Sequence, residues 1–239
     1  MERSVSLSES EQSKFISKTY LWMGLALLIS AGSAFYTAMK IFDGTTLSAF
    51  GRFLFVNKGF WIFAVAEIAL VWGLSAAIRK ISLQTAIFGF IAYSLLNGIT
   101  LSAIFVVYQI ESIAMAFVST SVMFFAMAMY GAKTKKNLAT AGRYLMMALI
   151  GVIVVSVLEF FMHSFLHLNT SMLDFLIAIA TVIIFTGLTA YDSQKIIKVA
   201  QNSNGSEDYQ KVSIMAALEL YLDFINLFLA LLRIFGKRK

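Results

Sequence analysis

The chain breaks into seven apolar runs, each about as long as a bilayer is thick, joined by short polar segments. A helix needs about 20 mainly apolar residues to cross the hydrocarbon core. The candidates are Tyr20–Met39, Gly59–Ile78, Leu83–Val107, Ile113–Gly131, Tyr144–Met162, Met172–Ile197 and Val212–Phe235. Of 239 residues, 59% are hydrophobic and 13% charged, more apolar surface than a soluble domain of this length has use for. The expected fold class is therefore an all-α membrane protein, a bundle of seven transmembrane helices. Residues 1–19 form a cytoplasmic N-terminal segment, 20–235 a single transmembrane domain and 236–239 a basic C-terminal tail.

The connections are too short for a second folded unit, and no repeat or low-complexity linker stands out. Gln201–Asp208 is the clearest loop. Proline and cysteine are both absent. Any kink must come from glycine or polar insertions, and disulfides, thiolate metal sites and cysteine nucleophiles are excluded. Ser30–Ala34 imitates a signal-peptide cleavage site, but the segment before the first run carries Glu2, Glu9 and Glu11 among its basic residues, unlike a short basic leader.

Net charge is +6, and the basic residues cluster at the ends of the runs. The N-terminal segment and the connections at 79–82, 132–143 and 195–211 hold 12 of the 19 Lys and Arg. That asymmetry places the N-terminus in the cytoplasm. It also puts the basic tail Gly236–Lys239 outside, which a re-entrant last segment would avoid, and the sequence does not decide between the two. Anionic headgroups account for the basic charge. Nucleic-acid binding would need a basic face on a soluble module, and none is present.

The spans contain carboxylates where a charge is costly. A carboxylate at mid-bilayer costs about 2.5–3.5 kcal/mol on insertion scales, so it is normally paired, protonated or set along a wet path. Asp192 lies in the sixth run and Asp223 in the seventh, Glu67 in the middle of the second, and Glu159 and Asp174 near the outer ends of the fifth and sixth. Glu219, Asp223 and Asn226 follow one another at intervals of four and three, which puts them on one helix face. Should Asp192 and Asp223 meet, both cannot ionise cheaply, and they would share a proton as a pair. With both protons gone, repulsion would part the two helices and offer hard oxygen ligands to calcium. The bland alternative is that each aspartate merely hydrogen-bonds a neighbouring helix.

Two further patterns read as structural. Ser94, Gly98 and Ser102, and likewise Gly73 and Ala77, have the small-residue spacing that lets helices approach closely. His163 and His167 have the i, i+4 spacing of a metal pair, but solvated interface histidines are the commoner outcome.

Gly187-Leu188-Thr189-Ala190-Tyr191-Asp192-Ser193-Gln194-Lys195-Ile196, followed by Leu220-Tyr221-Leu222-Asp223-Phe224-Ile225-Asn226-Leu227-Phe228, resembles the signature of the transmembrane Bax inhibitor motif family. Glu67 ahead of Gly73-Leu74-Ser75, Asn97-Gly98-Ile99-Thr100-Leu101 and Gly131-Ala132-Lys133 extend the resemblance over nearly all the chain from the first span onward. It implies six helices around a central C-terminal one, a bacterial cell-membrane location and a pH-sensitive calcium leak. Asp192 and Asp223 would be the pH sensor and a calcium site. Arg79, with Lys80 adjacent, is the nearest match to the basic latch onto the pair, and Glu67 matches the family's acidic residue of the second helix; with the Glu219 and Asn226 stripe it would line the path. No cofactor is implied beyond calcium as the transported ion, and the partners are the bilayer, calcium and another membrane protein.

Two other functions compete with the leak. One is a non-conducting regulatory membrane protein that binds and modulates another, such as a membrane protease or cell-death factor. The other is an intramembrane aspartyl protease, but those enzymes carry one aspartate after Gly-x-Gly, whereas Asp223 follows Leu220-Tyr221-Leu222, whose side chains would block a substrate strand. No other nucleophile and base stand together, so the chain is read as a non-enzyme.

Overall fold

The computed structural model describes residues 9–201 and 207–239, with 9, 10, 207 and 208 described by backbone alone. Most of the loop expected at Gln201–Asp208 thus lies outside the described residues. Among those described, seven helices are long and apolar enough to cross a membrane. In chain order the helices are α1 (Glu9–Ile41), α2 (Ala49–Phe55), α3 (Gly59–Ala77), α4 (Leu83–Leu101), α5 (Ala103–Val107), α6 (Ile110–Lys133), α7 (Ala139–Leu166), α8 (Ser171–Gln201) and α9 (Glu207–Phe235). The chain is an all-α membrane protein.

Five of the spanning helices, α1, α6, α7, α8 and α9, outrun their apolar runs, because lipid thickness limits only the apolar stretch and polar turns continue the hydrogen-bond ladder beyond it. Thus α1 begins at Glu9, inside the segment expected to precede the first span. Two short elements escape hydrophobic periodicity altogether. Strands β1 (Phe42–Asp43) and β2 (Thr46–Leu47) pair antiparallel around Gly44, whose φ of 62° suits a residue without Cβ. Ser48 then starts α2, accepting from Gly51 N at 2.9 Å and donating to Lys40 O at 2.6 Å. The third run is also not one helix: it breaks at Ser102, whose hydroxyl turns back to Ile99 O at 2.6 Å.

The chain divides into two compact units. The first holds the residues up to Tyr108, Ala200–Tyr221 and Lys239. Within it α1 and α3 pack on α4. A Cβ on Gly98 would lie 2.5 Å from Ser33 Cβ and 2.6 Å from Ser30 O, so glycine there permits the approach of α1 to α4. The expected Gly73–Ala77 contact is not made. Gly73 has open space around it, and the adjacent Leu74 instead fills the groove left by Gly89, 2.5 Å from where a Cβ would stand. At 100° per residue, one step along the helix moves the contact to another face.

The second unit holds Gln109–Val199 and Leu222–Arg238. Its core joins Ile184, Phe185 and Leu188 of α8 to Leu227 and Leu231 of α9, with Met123 of α6 and Leu145 and Leu149 of α7 packed around them. Phe117 and Phe124 of α6 meet Phe224 edge-on. None of the apolar window of α7 is buried, and Met147, Ile150, Val154, Leu158 and Phe161 stand exposed along it. A helix that presents apolar residues outward for its whole length has lipid as its solvent. In α9, by contrast, 72% of the window is buried. That helix is continuous to Phe235 and does not turn back. Beyond it, Lys237 O accepts from Gln109 N and Lys237 N donates to Ser112 Oγ, both at 3.0 Å, which fastens the basic tail to the start of α6.

Candidate functional site in the spanning helices

In the first unit Glu67 is the acceptor at the end of a polar chain. Its Oε2 accepts from Asn97 Nδ2 at 2.9 Å and its Oε1 from Thr100 Oγ1 at 2.7 Å. The one-turn spacing of Asn97 and Thr100 on α4 lets both reach a single carboxylate. Asn97 Oδ1 in turn accepts from Tyr221 Oη at 2.7 Å. Ser30 Oγ of α1 lies 2.6 Å from Tyr221 Oη and 2.7 Å from Ser94 O. Tyr221 is wholly buried, its ring edge-on to Phe90 and Tyr93. Four helices, α1, α3, α4 and α9, thus meet through one hydrogen-bonded path that runs from the buried Ser30, Tyr221 and Asn97 to the half-buried Glu67. Glu67 was legible in sequence by its charge inside an apolar run, whereas Asn97 and Tyr221 stood out only as parts of the family motifs and Ser30 gave no signal as a partner.

Other groups of this unit stand apart from that path. Lys211, buried near the start of α9, donates to Ile81 O at 3.2 Å and so ties that helix to the turn after α3. Arg79, the expected latch, is exposed just beyond the end of α3 and makes no hydrogen bond or ion pair among the described residues. Glu219 is half-buried on α9.

In the second unit α8 and α9 carry the two aspartates. Asp223 is only 4% exposed, with its Oδ2 wholly enclosed, and Asp192 is half-buried. The signature residues around Asp192 build its surroundings. A Cβ on Gly131 would run into the backbone carbonyl of Ala190, and one on Gly142 would lie 2.6 Å from the Tyr191 ring. Glycine at these two positions lets α6 and α7 close on α8 beside Asp192. Gln194 then clamps the α6–α7 connection, accepting from Leu138 N at 2.9 Å and donating to Lys136 O at 2.8 Å. Thr189 and Ser193 bond back to Phe185 O and Thr189 O, each at 2.7 Å, and leave the Asp192 turn helical. Asn226, half-buried, donates to Leu222 O at 2.8 Å within α9.

A separate polar cluster closes the end of this unit where α7 meets α8. Glu159 accepts from Thr170 Oγ1, and Asp174 pairs with Arg233 at 3.3 Å. His163 and His167 face the same open cavity of about 780 Å³, with His167 in the left-handed region at φ 52° as it ends α7. Among the described residues no group of three or more His, Asp or Glu is placed to hold a metal ion.

The family description Inhibitor of apoptosis-promoting Bax1 matches residues 12–239. The inner membrane protein YbhL of Escherichia coli K12 is 42% identical over 228 residues, 94% of this chain and 92% of that protein. An uncharacterized protein of Borreliella burgdorferi is 40% identical over 230 residues, 95% of this chain and 94% of that one. A third, from Rickettsia prowazekii, is 36% identical over 228 residues, 95% and 90% of the two chains. The match takes in both aspartates, Glu67 and all seven spans, and the chain belongs to the Bax inhibitor family of multi-pass integral membrane proteins.

Proposed function

We propose that the protein is a pH-sensitive calcium leak of the bacterial cell membrane, gated by protonation of Asp192 and Asp223. The observation that carries this reading is a carboxylate buried to 4% exposure on α9, in the same compact unit as a second carboxylate on α8. A charge so placed is expensive unless a proton or a cation offsets it. On this reading the pair holds a proton at low pH. Deprotonation leaves like charges in a poorly screened interior, drives α8 from the second half of α9 and opens oxygen ligands to the ion. Calcium takes about six to eight oxygens. Two carboxylates fill part of that shell, so the ion keeps water and passes on rather than staying bound. Arg79 would latch the closed state, and Glu67, Glu219 and Asn226 would line the path.

The test is calcium flux into liposomes holding the purified protein, between pH 5 and 8. Flux above that of empty liposomes, rising with pH and losing its pH response in Asp192→Asn, is the expected result. No flux from folded protein would sink the leak. It would leave the second reading, a non-conducting regulator of another membrane protein, for which the outward apolar face of α7 offers a surface.

A further inference from the structure

We infer that Glu67 is a second proton-binding site of the protein, one whose occupancy reverses the hydrogen-bonded chain through Asn97, Tyr221 and Ser30. The inference comes from counting protons along that chain. Three contacts run in series: Ser94 O to Ser30 Oγ at 2.7 Å, Ser30 Oγ to Tyr221 Oη at 2.6 Å, and Tyr221 Oη to Asn97 Oδ1 at 2.7 Å. Each is between two oxygens, yet only the Ser30 and Tyr221 hydroxyls carry hydrogen, one apiece. Two protons cannot serve three contacts. One short oxygen–oxygen approach is therefore left without a proton while Asn97 gives its amide hydrogen to Glu67. Ser30, Ser94, Asn97 and Tyr221 are all buried, so bulk water is not at hand to supply the missing donor. An unmade hydrogen bond in such surroundings is costly.

A proton on Glu67 removes the deficit. The Glu67 hydroxyl then donates to the amide oxygen of Asn97, once that amide turns by half a rotation about its last bond. The turned NH2 donates to Tyr221 Oη, Tyr221 donates to Ser30, and Ser30 donates to Ser94 O. Thr100, whose one hydroxyl proton lies between the other Glu67 oxygen at 2.7 Å and Asn97 O at 2.9 Å, keeps that arrangement throughout. Every contact in the series is then made, with no heavy atom moved except the Asn97 amide oxygen and nitrogen, which exchange places. Amide oxygen and nitrogen are nearly the same size, so the turn has no steric cost. The proton taken up from solvent stays on the carboxyl oxygen, and no bond other than hydrogen bonds changes. The groups beside Glu67 on α4 and α9 that carry a titratable proton are the phenols Tyr93 and Tyr221. The inference stands on the first unit alone and does not need the aspartates of α8 and α9 or the leak itself.

The experiment is infrared difference spectroscopy of the full-length protein in lipid, stepped between pH 5 and 9. A protonated-carboxyl C=O band that titrates in this range, persists in the Asp192→Asn/Asp223→Asn variant and is lost in Glu67→Gln is the expected result. Tyr221→Phe removes the hydroxyl that makes the reversed chain favourable, so Glu67 should bind its proton about tenfold more weakly and the band should move about one pH unit lower. This second variant keeps the carboxylate and reads out even where Glu67→Gln fails to fold. No Glu67 band anywhere in the range, or a band that Tyr221→Phe leaves in place, would overturn the inference.

Discussion

Buried polar groups in this chain are held in pairs and series, and individual residues differ in how many partners depend on them. Asn97 supports two of them, Glu67 through its amide nitrogen and Tyr221 through its amide oxygen. Asn97→Leu should therefore cost roughly 2–4 kcal/mol, since unsatisfied buried groups cost about 1–3 kcal/mol each. Thr100→Val, which leaves Glu67 its bond from Asn97, should cost about half as much or less. Thermal unfolding in detergent distinguishes them, and equal losses would contradict the assignment of Asn97 as the hub. The carboxylates of this site were legible in sequence because charge inside an apolar run is conspicuous. The partnership of Tyr221 and Ser30 was hidden because a hydroxyl inside such a run is inexpensive when bonded, and only tertiary contacts show that these two are.

At the scale of helices, glycine reports where backbones touch, and equal spacing in sequence does not mean equal packing. Gly131 sits against the Ala190 carbonyl of α8, whereas Gly73 faces open space. Gly131→Ala should destabilise by about 1–3 kcal/mol through overpacking against an unyielding backbone. Gly73→Ala should be neutral or stabilising by up to about 1 kcal/mol, because alanine is the better helix former. Melting temperatures of the two variants check this, and a loss from Gly73→Ala would mean that the face is covered after all. The seven spans were readable from length and hydropathy alone, while their ends, the break at Ser102, the hairpin and α2 were not. Those features depend on single side-chain caps and on polar turns, which carry no periodic signal.

For the molecule as a whole, the excess of Lys and Arg on the N-terminal side predicts one orientation of the seven spans. With the N-terminus in the cytoplasm, the α7–α8 connection and the tail beside α6 face outward, and the α6–α7 connection faces inward. The chain has no cysteine of its own. Leu168→Cys and Lys237→Cys should accordingly react with an impermeant thiol reagent applied to intact cells, and Lys135→Cys only after the membrane is opened. Labelling of Lys135→Cys in intact cells would invert the topology. Spacing along the chain does not say whether the two aspartates act as one device, since their relation depends on helix packing. The measurement that tests that device most directly is calcium flux into liposomes from pH 5 to 8 for wild type, Asp192→Asn, Asp223→Asn and the double variant. A pair that binds its proton jointly predicts that either single change abolishes the pH response and that the second adds little more. Additive effects of the two changes, or a pH response that survives in the double variant, would contradict a gate built on this pair.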